Sequence, residues 1–319
     1  MLILSLLSAA GASEMSLDWT DKTVRYHAEA IIQHFNPIEL LAAQNTNVRV
    51  TTLMIASDMT CSGAVLRKGW TVSCNIDEIG LQGVALHEVD TEKVDTVTAE
   101  YVQMLTGATI EIVLSENGRI LGVDLEGVEK TDDRMSEIQE KLRLIVRRMV
   151  APIDQLLPKK GIATTGDSWK HKNSAIAFEI FSKYGTLGGS VLKYEVIEDE
   201  GGEILVRSDG HGNIGLSDAG STYGFSEGSE SSEASSGASS TGYASSSATA
   251  TLYNVVAQTA GRFDVGAGQW TYLESTAQGL RNQATVPDNF TQAAWMGRIN
   301  DDGTIEGAGA LLPPEEDAQ

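Results

Sequence analysis

Ser168 stands in the stretch Gly166-Asp167-Ser168, a place to look for a hydrolytic nucleophile. A serine needs a base to take its proton and donors to hold the oxyanion. The late Asp-x-x-His that would serve such a serine is missing from the chain. Turn chemistry ahead of a strand starting near Trp169 accounts for the three residues instead. His87-Glu88 lacks the second histidine of a His-Glu-x-x-His zinc helix. His27 and His34 fall on opposite faces of a strand and cannot share a metal unless the strand ends between them. Asp209-Gly210-His211-Gly212 reads as a turn carrying one exposed histidine. The Gly-rich tracts lack the Lys-Ser/Thr of a phosphate loop. No cofactor is expected, and the chain reads as non-enzymatic. A hydrolase whose site escapes these patterns stays open as an alternative.

Cys61 and Cys74 are the only two cysteines in 319 residues. The spacing is wrong for a two-residue redox pair, and no second pair completes a zinc site. The segment 48–60 and Trp70-Thr71-Val72 are rich in β-branched and apolar residues. Ser62-Gly63 and Lys68-Gly69 supply turn chemistry between them. Two strands meeting across this loop bring Cys61 opposite Cys74, and an oxidising compartment would join them. Closing a loop of this size contributes roughly 3 kcal/mol in the chain-entropy model.

An oxidising compartment fits the first twelve residues, MLILSLLSAAGA. Leu2 to Leu7 are almost wholly apolar, and Ala10 and Ala12 have the small-x-small spacing of a leader cleavage site. A basic segment before the apolar run is lacking, so a buried N-terminal strand or helix is the other reading. The expectation is an exported protein, periplasmic or extracellular. No lipid anchor is expected, since no cysteine follows the apolar run. No stretch approaches the ~20 apolar residues of a membrane helix. The net charge of −21 disfavours nucleic acid and anionic lipid as partners.

The remaining residues predict a mainly β, α+β chain of two curved antiparallel sheets with one prominent amphipathic helix between them. Val24, Tyr26, Ala28, Ala30 and Ile32 alternate with polar residues, the period of a half-buried strand. Ile110, Ile112 and Leu114, then Asn117-Gly118, then Leu121, Val123 and Leu125 spell a hairpin. Met135, Ile138, Leu142, Ile145 and Met149 recur at helical intervals. Asp132-Asp133 at the start and Arg147-Arg148 near the end suit the helix dipole. The similar hairpin patterns 108–127 and 258–277 suggest duplicated half-barrel units. The expected layout is a leader 1–12, an N-terminal β unit 13–130 and a connecting helix 131–160. A C-terminal β unit 161–300 follows, with a disordered Ser/Gly-rich insertion at 217–247, then a tail 301–319.

The phrase LPKKGIATTGDSW (157–169) and the later GRFDVGAGQW resemble those of exported bacterial β-rich proteins of uncharacterised function. In layout the chain is similar to the incomplete barrels of lipoprotein carriers. That resemblance implies a concave apolar face holding acyl chains, by fold analogy alone. Trp169, Tyr194, Trp270 and Tyr272 all fall on expected strands. Facing the concavity, they would line a pocket for a lipid or other apolar ligand; facing inward, they are core. The functional expectation is an envelope protein that binds an apolar ligand or a protein partner on a curved sheet. A scaffold without ligand is the alternative.

Overall fold

The computed structural model describes residues 13–129, 131–154, 157–158, 162–172, 186–200, 202–215, 252–281 and 290–307. The expected leader 1–12, the expected insertion 217–247 and residues 308–319 of the expected tail 301–319 lie outside the described residues. The strands run in chain order as β1 (Ser13–Glu14), β2 (Thr23–Leu41), β3 (Asn47–Leu66), β4 (Gly69–Ala85), β5 (Thr109–Leu114) and β6 (Ile120–Glu126). They continue as β7 (Ile162–Ala163), β8 (Ser168–Lys172), β9 (Thr186–Glu200), β10 (Glu203–Gly215), β11 (Leu252–Asp264), β12 (Gln269–Arg281) and β13 (Phe290–Arg298). Helix α1 covers Thr91–Leu105 and α2 covers Asp133–Met149. Among the described residues no helix is long and apolar enough to cross a membrane.

The fold is mainly antiparallel β, as the alternation of residue types requires. The two β units are halves of one open 11-stranded sheet, in the order β6-β5-β4-β3-β2-β13-β12-β11-β10-β9-β8. Each half is an up-and-down meander. The long β2 pairs with β13 from Tyr26↔Arg298 to Gln33↔Thr291, and that pairing merges the expected two sheets into one. β1 and β7 form a separate short pair. The hairpin β5–β6 ends one edge, whereas β11–β12 lies inside the other half, so the two similar hairpins occupy non-equivalent places.

The sheet is strongly curved. Leu114 on β5 and Leu273 on β12 line the same small void. Five strand spacings separate them in the sheet order, roughly 24 Å if it were flat. The curl wraps the apolar faces of both helices. Helix α2 starts where its aspartates predict: Asp132 accepts from the Met135 amide at 2.8 Å. Ile138, Leu142, Ile145, Val146 and Met149 are its buried stripe. It packs chiefly on β2, β6 and β13, and the 3₁₀ turn Ala151–Ile153 after it sits on β12 and β13.

Helix α1 is a second helix that the sequence reading does not anticipate. Its residues Val94, Val97, Thr98, Tyr101 and Leu105 are buried against β3 and β4. Gly83 makes room, since a Cβ there would stand 2.6 Å from Val94 Cγ1. Tyr101 accepts from the Leu41 amide at 2.9 Å, which ties the helix to the end of β2. Burial pushes its hydroxyl up to about 12.

Two local expectations change. Ser62 and Gly63 lie inside β3, and the turn is Arg67-Lys68 with Gly69 at φ 129°. Asp209-Gly210-His211-Gly212 is part of β10 rather than a turn. Pairing with β9 and β11 on both sides carries the strand through its glycines.

Candidate functional site

The two cysteines are direct partners in the β3–β4 ladder, Cys61↔Cys74. Their sulfurs are 2.08 Å apart, a disulfide, and both residues are buried on the inner face. Gly166-Asp167-Ser168 performs the turn chemistry its residues suggest. Asp167 accepts from the Thr164 amide and hydroxyl, and Ser168 is exposed at the start of β8.

The four aromatic candidates fall into three places. Trp169 and Tyr194 stack across β8–β9 with ring centroids 5.5 Å apart and planes within 5°. Trp270 is in the core, edge-on to Phe263 at 5.1 Å. Tyr272 lies on the other face of β12, because a bulge between Arg262 and Phe263 shifts the register beside it.

On that outer face the joint between the halves carries a cluster of titratable side chains. His27 Nδ1 is 2.6 Å from Asp58 Oδ1, and its Nε2 is 3.2 Å from Glu29 Oε1. Trp295 Nε1 donates to Glu29 Oε2 at 2.9 Å. Tyr272 donates to Glu274 Oε2 at 2.5 Å, and burial together with that carboxylate raises its pKa. The turn after β13 folds back over this cluster. A Cβ on Gly297 would meet the Glu306 carbonyl at 2.1 Å, and one on Gly307 would enter the Tyr272 ring. A histidine oriented by an aspartate is two-thirds of a hydrolytic triad. Here its second nitrogen meets a carboxylate, not a hydroxyl or thiol. Among the described residues no group of three or more His, Cys, Asp or Glu side chains is placed to hold a metal.

The inner face of the C-terminal half is organised differently. Cross-strand register lines up three rows from β9 to β2. The first is Val196, Val206, Gly261, Leu273, Met296 and Ala28. The second is Tyr194, Ser208, Thr259, Ser275, Ala294 and Ala30. The third is Leu192, Gly210, Ala257, Ala277, Gln292 and Ile32. All are buried, and none carries a charge.

On β10–β12 side-chain size falls from the first row (Val206, Gly261, Leu273) through the second (Ser208, Thr259, Ser275) to the third (Gly210, Ala257, Ala277). At the first, Trp270 and Leu273 fold over Gly261, where a Cβ would stand 2.8 Å from the indole. Beside them lies a void of about 20 Å³, lined by Trp19, Tyr26, Cys61, Trp270 and their neighbours. That is room for one water, far below the roughly 300 Å³ of a small ligand site. In the second row Ser208 and Thr259 share a hydrogen bond of 2.5 Å. In the third, glycine and alanine stand side by side on β10, β11 and β12. Gln292 follows on β13, 4% exposed, with Oε1 accepting no hydrogen bond. An unpaired buried acceptor costs about 1–3 kcal/mol.

These row residues are the part of the site that aromatic content does not mark. Their trace in the sequence is small residues at period two in three separate segments: Ser208/Gly210, Ala257/Thr259/Gly261 and Ser275/Ala277. Compared with protein families and with curated proteins, the chain matches no family model and no curated sequence.

Proposed function

We propose that this is an exported, non-enzymatic protein that binds an amphiphile with an apolar chain against the inner face of β9–β13. The observation that carries the reading is the graded inner face. The helices pack chiefly on the N-terminal half and the joint, and the rows beyond them shrink to glycine and alanine without a charge. The rows are buried, so an apolar chain reaches them only by opening this face, and it would then gain dispersion and burial against small side chains in register. Hydroxyls in the adjoining row give it a polar flank. The disulfide, buried and cross-strand, supports placement in an oxidising compartment. The His27 cluster supports binding over catalysis, because both ring nitrogens are committed to carboxylates.

A scaffold without ligand is the second reading. The closure of Trp270 over Gly261 favours it, since that end of the sheet is packed shut. Native mass spectrometry of protein purified from its own envelope separates the two. A co-purifying lipid-like mass is expected. A clean apo mass, unchanged after incubation with an amphiphile mixture, would leave the scaffold.

A further inference from the structure

We infer that the arm 15–20 is a displaceable strap, and that an apolar ligand enters the inner face by taking the place of Leu17 and Trp19. The inference rests on the amphiphile reading above and adds how a face that is packed shut opens. Burial alternates along the arm: Met15, Leu17 and Trp19 are buried, while Ser16 and Thr20 are exposed. The arm therefore lies strand-like with its apolar side inward. It straddles the two halves of the open sheet. Trp19 packs on β3, where a Cβ on Gly63 would stand 2.3 Å from the Trp19 Cβ. The Asp18 amide donates to the Gly268 carbonyl at 2.9 Å, at the turn into β12. Leu17 and Trp19 line the void of about 20 Å³ together with Leu273 and Met296 of the first row. Their departure opens that void onto the graded rows.

The arm is held more lightly than the strands it covers. Among the described residues one backbone hydrogen bond, that of Asp18, ties 15–20 to the rest of the fold. Side chains add Gln269 Nε2, which donates to the Asp18 carbonyl at 3.3 Å, and Lys22, which donates to the Asp18 carboxylate at 2.7 Å and to the Ala267 carbonyl. Two features oppose the docked state. Trp19 Nε1 is buried without a hydrogen-bond partner, and water satisfies it once the arm lifts. Asp21 joins the arm to β2 at φ 51°, a left-handed conformation that costs a residue with a Cβ. Side chains that fill the site in the free protein compete with the ligand, so affinity follows the fraction of molecules with the arm lifted.

Titration of the full-length protein with N-phenyl-1-naphthylamine, a neutral apolar fluorophore, tests this in wild type, Asp18→Asn and Trp19→Ala. Hydrogen exchange of the segment 15–20, followed by mass spectrometry, reads the arm. Wild type should bind the fluorophore, and saturation should speed exchange of 15–20 at least about tenfold, because bound ligand holds the arm off. Asp18→Asn loosens an exposed ion pair and should tighten binding by up to about fivefold. Trp19→Ala removes the competing ring and should tighten it by about tenfold. Asp18→Asn keeps every buried side chain, so it should fold even where Trp19→Ala does not. Binding by wild type with exchange of 15–20 unchanged, or with affinity no higher in Asp18→Asn, would overturn the strap and leave the amphiphile reading standing. Failure of wild type to bind would instead remove the amphiphile reading itself, and the strap with it.

Discussion

Trp295 donates its indole N–H to Glu29 at 2.9 Å, across the β13–β2 pair that joins the two meanders. Each meander pairs its own strands in sequence, so this joint is where distant parts of the chain must find each other. His27 extends the contact to Asp58 on β3. The outer face therefore fastens the same strands whose inner face carries Gln292 and Ala294.

Trp295→Phe keeps the ring and removes the donor. The carboxylate of Glu29 is 46% exposed, so the loss should fall below the roughly 1.5–3 kcal/mol of a buried charged hydrogen bond, at about 1 kcal/mol. Urea unfolding of Trp295→Phe, Glu29→Gln and the double variant gives the coupling. The expected value is about 0.5–1 kcal/mol. Strictly additive single effects would show that the pair does not fasten the joint.

The disulfide should resist reduction in the folded protein, because Cys61 and Cys74 are both buried. Reductant alone should leave the linked peptide intact, and reductant with denaturant should open it. Replacing both cysteines by serine should lower stability by about 3 kcal/mol. Rapid alkylation of both thiols under native reducing conditions would contradict the burial.

The arm ahead of β2 is held by Asp18, which accepts from Lys22 at 2.7 Å and from the Thr20 amide at 3.0 Å. Those hydrogen bonds, Lys22's first, lower its pKa to about 2. A depressed folded pKa means that the clamp contributes above the ordinary aspartate value. It is lost as pH falls from there through about 2. Trp19, buried beside Gly63, reports the arm. Its fluorescence should change across that acid window in wild type, with the change reduced in Asp18→Asn. Identical acid titrations of the two would contradict the clamp.

The strands, α2 and the cysteine pairing were legible because each is a local signal. Ala28, Ala30 and Ile32 alternate with polar residues, Asp132 caps, and Asn117-Gly118 turns. Helix α1 was not, because Val94, Thr96, Val97 and Thr98 are β-branched. Its helicity comes from packing over Gly83 rather than from propensity. The joint was hidden for a related reason. In β13 the inner face is Gln292, Ala294 and Met296, too small and mixed to announce a central strand. The small-residue row is a property of register between four strands, and no single segment carries it. The aromatic residues drew attention to pocket chemistry, yet Trp270 fills space and Tyr272 faces away from it.

Binding at the inner face is tested most directly by enlarging its small side chains. Ala257→Phe and Ala277→Phe place a ring over the small row, and Thr276→Phe places the same ring on the opposite face. Binding of a fluorescent amphiphile should weaken at least about tenfold in the first two and stay unchanged in the third. Ala257 and Ala277 are buried, so the first two should also lose about 1–3 kcal/mol of stability, and binding is compared under conditions where both stay folded. Undiminished binding in both inner-face variants, or no amphiphile bound by wild type, would contradict the account.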